Sequence, residues 1–102
     1  MDKEGFKAYL ISTHRAENAI VTRIRHAIEV ERILGRDLDE VVASDEEMYN
    51  ALIRIKEIKA SGKETRHAPV KNAVRRYYVF RNGVEFPHID VYERRRQIRN
   101  NH

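Results

Sequence analysis

Two sets of donor side chains have the spacing to act together. Thr13, Arg15, Asn18, Thr22 and Arg25 recur at steps of two to four residues, and Lys63, Arg66, Lys71, Asn72, Arg75 and Arg76 crowd a second stretch. Guanidinium, ammonium, amide and hydroxyl donors are the groups that contact phosphate oxygens and base edges. Other chemistries find less to work with. The five histidines, at 14, 26, 67, 88 and 102, never stand three or four residues from one another, and the chain has no cysteine and no HExxH pattern, so no metal site is expected. No serine lies in a nucleophile-elbow sequence. The four glycines are isolated, which leaves no phosphate-cradling loop. Neither catalytic residues nor a cofactor are expected.

The elements that must position the two sets follow from hydrophobic periodicity. Apolar residues recur at three and four throughout, and Gly and Pro are scarce, so the chain reads as all-α. A first helix is predicted over residues 2–11, with Phe6, Tyr9 and Leu10 on one side. Ser12-Thr13 offers an N-cap for a second helix reaching Leu34, where Gly35 can take the left-handed conformation. Its expected core stripe is Ala16, Ala19, Ile20, Ile24, Ala27, Ile28 and Leu34, opposite Arg15, Asn18, Thr22, Arg25 and Glu29. An acidic connector then plugs Leu38, Val41 and Val42 into the core from a turn or short helix. Ser44 and Glu47 form a capping box that opens a third helix burying Met48, Ala51, Leu52 and Ile55 and ending near Ser61-Gly62.

Pro69 suits the first position of a fourth helix, predicted over 69–81 and stopped by Gly83. Val70, Ala73, Val74, Tyr77 and Phe80 share its core face. Lys71, Asn72 and Arg75 lie on the other, with Arg76 at a flank; Arg81 suits the C-terminal end of the helix dipole. Tyr77 and Tyr78 are expected in the core with their hydroxyls at its rim. Phe86 before Pro87 reads as an extended closing segment that lays an aromatic ring back on the bundle. The tail, 88–102, is strongly basic and is left open between a short fifth helix and a frayed end.

At 102 residues the chain is expected to be one domain able to bury well over half of its unfolded surface. The absence of cysteine points to a reducing cytoplasm, and no run approaches the roughly 18 apolar residues of a membrane span. The net charge of +4 conceals a polarity: residues 29–47 carry eight acids and two bases, while residues 61–102 carry ten bases and four acids. Such asymmetry suits a surface that approaches polyanions, and equally a solvated charged face. Both helix starts present amide hydrogens that favour phosphate. If the starts of the second and fourth helices lie side by side, the two donor sets merge into one basic face.

The order FKAYL, Ser12-Thr13 opening a helix, RIRHAIEVERILGRDLDEV, a capped third helix and NAVRRYYVFRNGVEFP resembles the SAM-like core-binding domain of phage integrases and other tyrosine recombinases. The resemblance spans about Lys3 to Pro87, and the closing segment is its most specific part. It implies a compact bundle of four to five helices over residues 1–87. It also implies double-stranded DNA facing the second and fourth helices, with Thr13, Arg15, Asn18, Thr22 and Arg25 on one and Lys71, Asn72, Arg75 and Arg76 on the other. The recombinase catalytic domain has no counterpart in these residues, so the expectation is a fragment or a stand-alone relative that binds DNA without cutting. The competing expectation is a protein-interaction module, a phage-encoded or host regulatory protein docking through the acidic connector or the basic tail.

Overall fold

The computed structural model describes residues 1–13, 16–60 and 67–100. Six helices account for most of them: α1 Lys3–Ser12, α2 Glu17–Leu34, α3 Leu38–Val41, α4 Asp45–Ala60, α5 His67–Asn82 and α6 Ile89–Asn100. The architecture is an all-α bundle, with no strand among the described residues. The fourth helix of the sequence reading is α5, since the connector makes a helical turn of its own.

Local signals account for most boundaries. Asp2 caps α1 by accepting from the Gly5 amide at 3.0 Å. Asp37 caps α3 by accepting from Asp39 at 2.8 Å, and Ser44 accepts from the Glu47 amide at 3.2 Å. Gly35 and Gly83 end α2 and α5 at φ 64 and 77, a region that a side chain would make costly. Two boundaries depart from expectation. α5 starts at His67, two residues before Pro69, which therefore does not take the first helical position. Ser12 and Thr13 do not open α2: their hydroxyls donate back to the Tyr9 and Leu10 carbonyls at 2.6 and 2.7 Å. They close α1 by satisfying carbonyls that lack helical partners, and α2 starts after Ala16, which gives no side-chain cap. The reciprocal half of the capping box is also missing, because the Glu47 carboxylate is taken by Arg36.

The core contains Phe6, Leu10, Leu38, Val41, Met48, Leu52, Ile55, Val74 and Tyr77, nearly all fully inaccessible. Burying each large apolar side chain stabilises the fold by about 1.5–3 kcal/mol. Two aromatic clusters extend this core. Phe6, Tyr77 and Phe80 meet with ring centroids 5.0–5.7 Å apart and tie α1 to α5. On the other side, Tyr78, Phe86, Tyr92 and Tyr49 form a chain with neighbouring centroids at 5.1–5.3 Å. Phe86 is the link through which the closing segment and α6 reach the bundle. The open question about the tail resolves as a helix, α6, held on α4 by Tyr92 Oη donating to Glu46 at 2.9 Å and Arg96 paired with Glu46 at 2.6 Å.

The stripe expected on α2 needs correction. Ile20 and Ala27 are buried, but Ala16 and Ala19 are exposed, Ile28 is 40 % exposed, and Val30, outside the stripe, is fully buried. Ala19 and Val30 lie about 20° apart around the helix axis. Their opposite fates mean that the side of α2 they share is covered towards its C-terminal end and open near its start.

Candidate nucleic-acid interface

That opening is a groove. Near the start of α2 it is lined by Asn18, Ala19, Thr22, Arg23 and His26, facing Pro69 and Asn72 of α5. Further along, Arg23 faces Asn72, Arg75, Arg76 and Val79, with Glu85 and Phe86 closing one side. Asn18 and Thr22 of α2 share one hollow with Pro69 and Asn72 of α5, and the end of α5 meets the connector that follows α2 through Tyr77 donating to Asp39 and Asn82 to the Val42 carbonyl, so α2 and α5 run parallel. Their starts lie at the same end of the molecule, and so do the positive ends of their dipoles.

The far end is acidic and internally paired. Asn82 donates to the Val42 carbonyl at 3.1 Å, which sets the end of α5 against the connector. Asp39 accepts from Tyr77 at 2.5 Å and lies 3.4 Å from Arg81. Tyr78 donates to Asp45 at 2.6 Å. The Met1 ammonium is enclosed by Asp37, Glu31 and Asp39 at 2.7, 3.2 and 3.7 Å. Burial pushes the hydroxyl pKa values of Tyr77 and Tyr78 up, and the carboxylate that each one faces pushes them further. Much of the acidic segment thus serves the fold.

The expected site residues separate into groups. Asn18, Thr22, Asn72, Arg75 and Arg76 meet along the groove. Arg25 is exposed on the outer face of α2 and lines no part of the groove; it stands one turn from Thr22 and Val21. Thr13 belongs to the end of α1, with its hydroxyl committed to Leu10. Arg15, Lys63 and Arg66, with His14, His102 and the loop around Ser61-Gly62, lie outside the described residues.

Arg75 differs most from its expected role as a fully available cation. One guanidinium nitrogen donates to the Phe86 and Pro87 carbonyls at 3.0 and 3.4 Å, and the group lies 5.7 Å from the Phe86 ring centroid. It clips the closing segment to α5, which fixes one wall of the groove. Burial lowers its pKa, with Glu85 opposing. Lys71, half-buried one turn earlier, is also lowered by burial, and then by the charges of Arg75 and Lys56.

Sequence reasoning missed Arg23, His26, Lys56 and Glu85. Arg23 was legible in principle, because it stands four residues from both Ala19 and Ala27 and so borders the face that packs on α5. Lys56 carried no signal, since its relevance arises from α4 packing beside α5.

No protein-family model, curated protein or solved structure matches the chain. Among the described residues no group of three or more His, Asp or Glu is placed to hold a metal ion, and no helix is long and apolar enough to cross a membrane. The groove is lined by donor side chains, two amides, a hydroxyl, an imidazole and three guanidinium groups, along two parallel helices, with Arg75 already engaged by the Phe86 and Pro87 carbonyls. Among the described residues, Glu85 is the one carboxylate lining it.

Proposed function

We propose that this chain is a non-catalytic domain that binds double-stranded DNA across the α2–α5 groove, related in design to the integrase core-binding domains that its sequence resembles. One observation carries the reading: two parallel helices bring Asn18, Thr22, Asn72 and Arg76 to a single groove, while the acids of the connector are engaged at the opposite end. Arg25, Lys71 and Arg76 have no carboxylate partner among the described residues, so phosphate oxygens can supply the counter-charge. Asn18 and Asn72 are the side chains suited to base edges. Arg75 contributes by shaping the wall and by the part of its guanidinium left over from the clip. The rival reading, a protein-interaction module docking through the acidic connector or the basic tail, has less support at the connector, where Asp37 and Asp39 already have partners within the chain, and in the tail Arg96 is held by Glu46.

Fluorescence anisotropy of a labelled duplex at two or more salt concentrations tests this. Contact with about five phosphates gives a log–log slope of roughly −4 to −5. Arg76→Gln and Arg25→Gln should each flatten it by about 0.9. A duplex that fails to bind at low salt, or binding that is indifferent to both substitutions, removes the reading.

A further inference from the structure

A cation cluster lies on the other flank of α5, away from the groove. Tyr78, near the end of α5, bonds to Asp45 in the first turn of α4, so these two helices pack antiparallel. Lys71 stands seven residues before Tyr78 and Lys56 eleven after Asp45. At about 1.5 Å per residue the two lysines differ by only ~6 Å along the helix pair. Arg75 is one turn from Lys71 on the same face. Three cations from two helices thus converge with little opposing charge. Neither Lys56 nor Lys71 has a carboxylate partner among the described residues, since the nearby Glu57 pairs with Arg54 at 3.7 Å. Glu85 opposes the charge of Arg75. Burial makes the Lys71 ammonium less easily kept charged, and the charges of Arg75 and Lys56 add to that effect.

Folded proteins rarely gather like charges without a use for them, because the repulsion opposes the compact state. Arg75 belongs to both surfaces: it lines the groove and borders the cluster. We infer that Lys56, Lys71 and Arg75 form a phosphodiester seat on the α4 side of α5, so that a duplex lying in the groove is also gripped across the α5 ridge. The inference rests on the duplex-binding reading and extends its footprint from two helices to three. It assigns to Lys56, fully outside the groove, a direct phosphate contact.

The test compares wild type, Lys56→Gln, Lys56→Arg and Arg76→Gln in the same salt-dependent duplex titration. Lys56→Gln should weaken binding about tenfold near 50 mM salt and flatten the slope by about 0.9, as loss of one phosphate contact requires. Lys56→Arg should restore both. Lys56 is exposed, and its neutralisation relieves repulsion, so the melting temperature of Lys56→Gln should match or exceed that of wild type. A Lys56→Gln slope equal to wild type, while Arg76→Gln still flattens it, overturns the seat and leaves the groove standing. A wild type without salt-dependent binding overturns both.

Discussion

Tyr77 is the side chain on which most of the polar architecture turns. Its ring is fully buried against Phe6, and its hydroxyl both donates to Asp39 at 2.5 Å and accepts from the Asp2 amide at 2.8 Å. Asp2 in turn caps α1, so this one hydroxyl connects the start of α1, the connector and α5. Tyr78 makes a simpler bond, donating to Asp45 alone. Losing a hydrogen bond to a carboxylate costs about 1.5–3 kcal/mol. Tyr77→Phe should fall at the upper end of that range, because it also leaves the part-buried Asp2 amide without its acceptor, and Tyr78→Phe at the lower end. Urea denaturation of both variants checks the order; equal costs would mean that the Asp2 amide finds water instead. Arg75 teaches the complementary lesson. On a helical wheel it is a solvent-facing cation, yet one of its guanidinium nitrogens is committed to two carbonyls of a segment eleven and twelve residues later, a partnership that periodicity within α5 does not encode.

Among the elements, those with strong local signals were legible and those decided by neighbours were not. Gly35 and Gly83 stop their helices where a left-handed residue is needed, and Ser44 starts α4 by a bond that its own hydroxyl supplies. Ser12 and Thr13 look like equally good starts, but the same hydroxyls can serve the preceding carbonyls, and no local rule chooses between the two uses. Ala19 and Val30 share a side of α2, so their opposite fates depend on which end of that side is covered. The candidate site was legible to the same degree: residue types and helix faces selected Asn18, Thr22, Asn72 and Arg76, whereas Lys56 and Glu85 enter only through packing. α6 is the element most dependent on a few contacts. Its hold on α4 passes through Glu46, which receives both Tyr92 and Arg96, with Tyr49 donating to Glu93 at 2.9 Å as a second tie. Glu46→Gln should therefore speed amide exchange in α6 several-fold more than in α2 or α5. Uniform acceleration would show that α6 unfolds only with the whole bundle.

At the scale of the molecule, charge is sorted along the parallel α2–α5 pair, with donors along the groove and paired acids at the C-terminal ends of the helices. The acidic end makes stability depend on alkaline pH, and the sign follows from the groups there. Burial alone would lower the pKa of the Met1 ammonium, but hydrogen bonds to Asp37 and Glu31 outweigh it and leave the group above its ordinary 8.0. Burial and the carboxylate partners raise Tyr77 well above its ordinary 10.0 and push Tyr78 up to about 12. Each group has a folded pKa above its unfolded one. Its contribution is complete below the unfolded value and is lost as pH rises towards the folded value. Lys71 works in the opposite sense, since its lowered pKa lets the folded state shed a proton first and gain stability as pH nears 10.5. Tyr49, raised by its hydrogen bond to Glu93, adds to the three, and four raised groups against one such lysine give a net decline that starts just above pH 8 and steepens between 10 and about 12. Urea midpoints at pH 7, 9 and 11 should fall in that order. Asp37→Asn should shrink the part lost just above pH 8, and the pair Tyr77→Phe with Tyr78→Phe should flatten the steeper part above 10. A midpoint that holds constant to pH 11 would mean that the amine and the two hydroxyls are as easily deprotonated in the fold as in the open chain, and the acidic end would then have no part in holding the bundle closed.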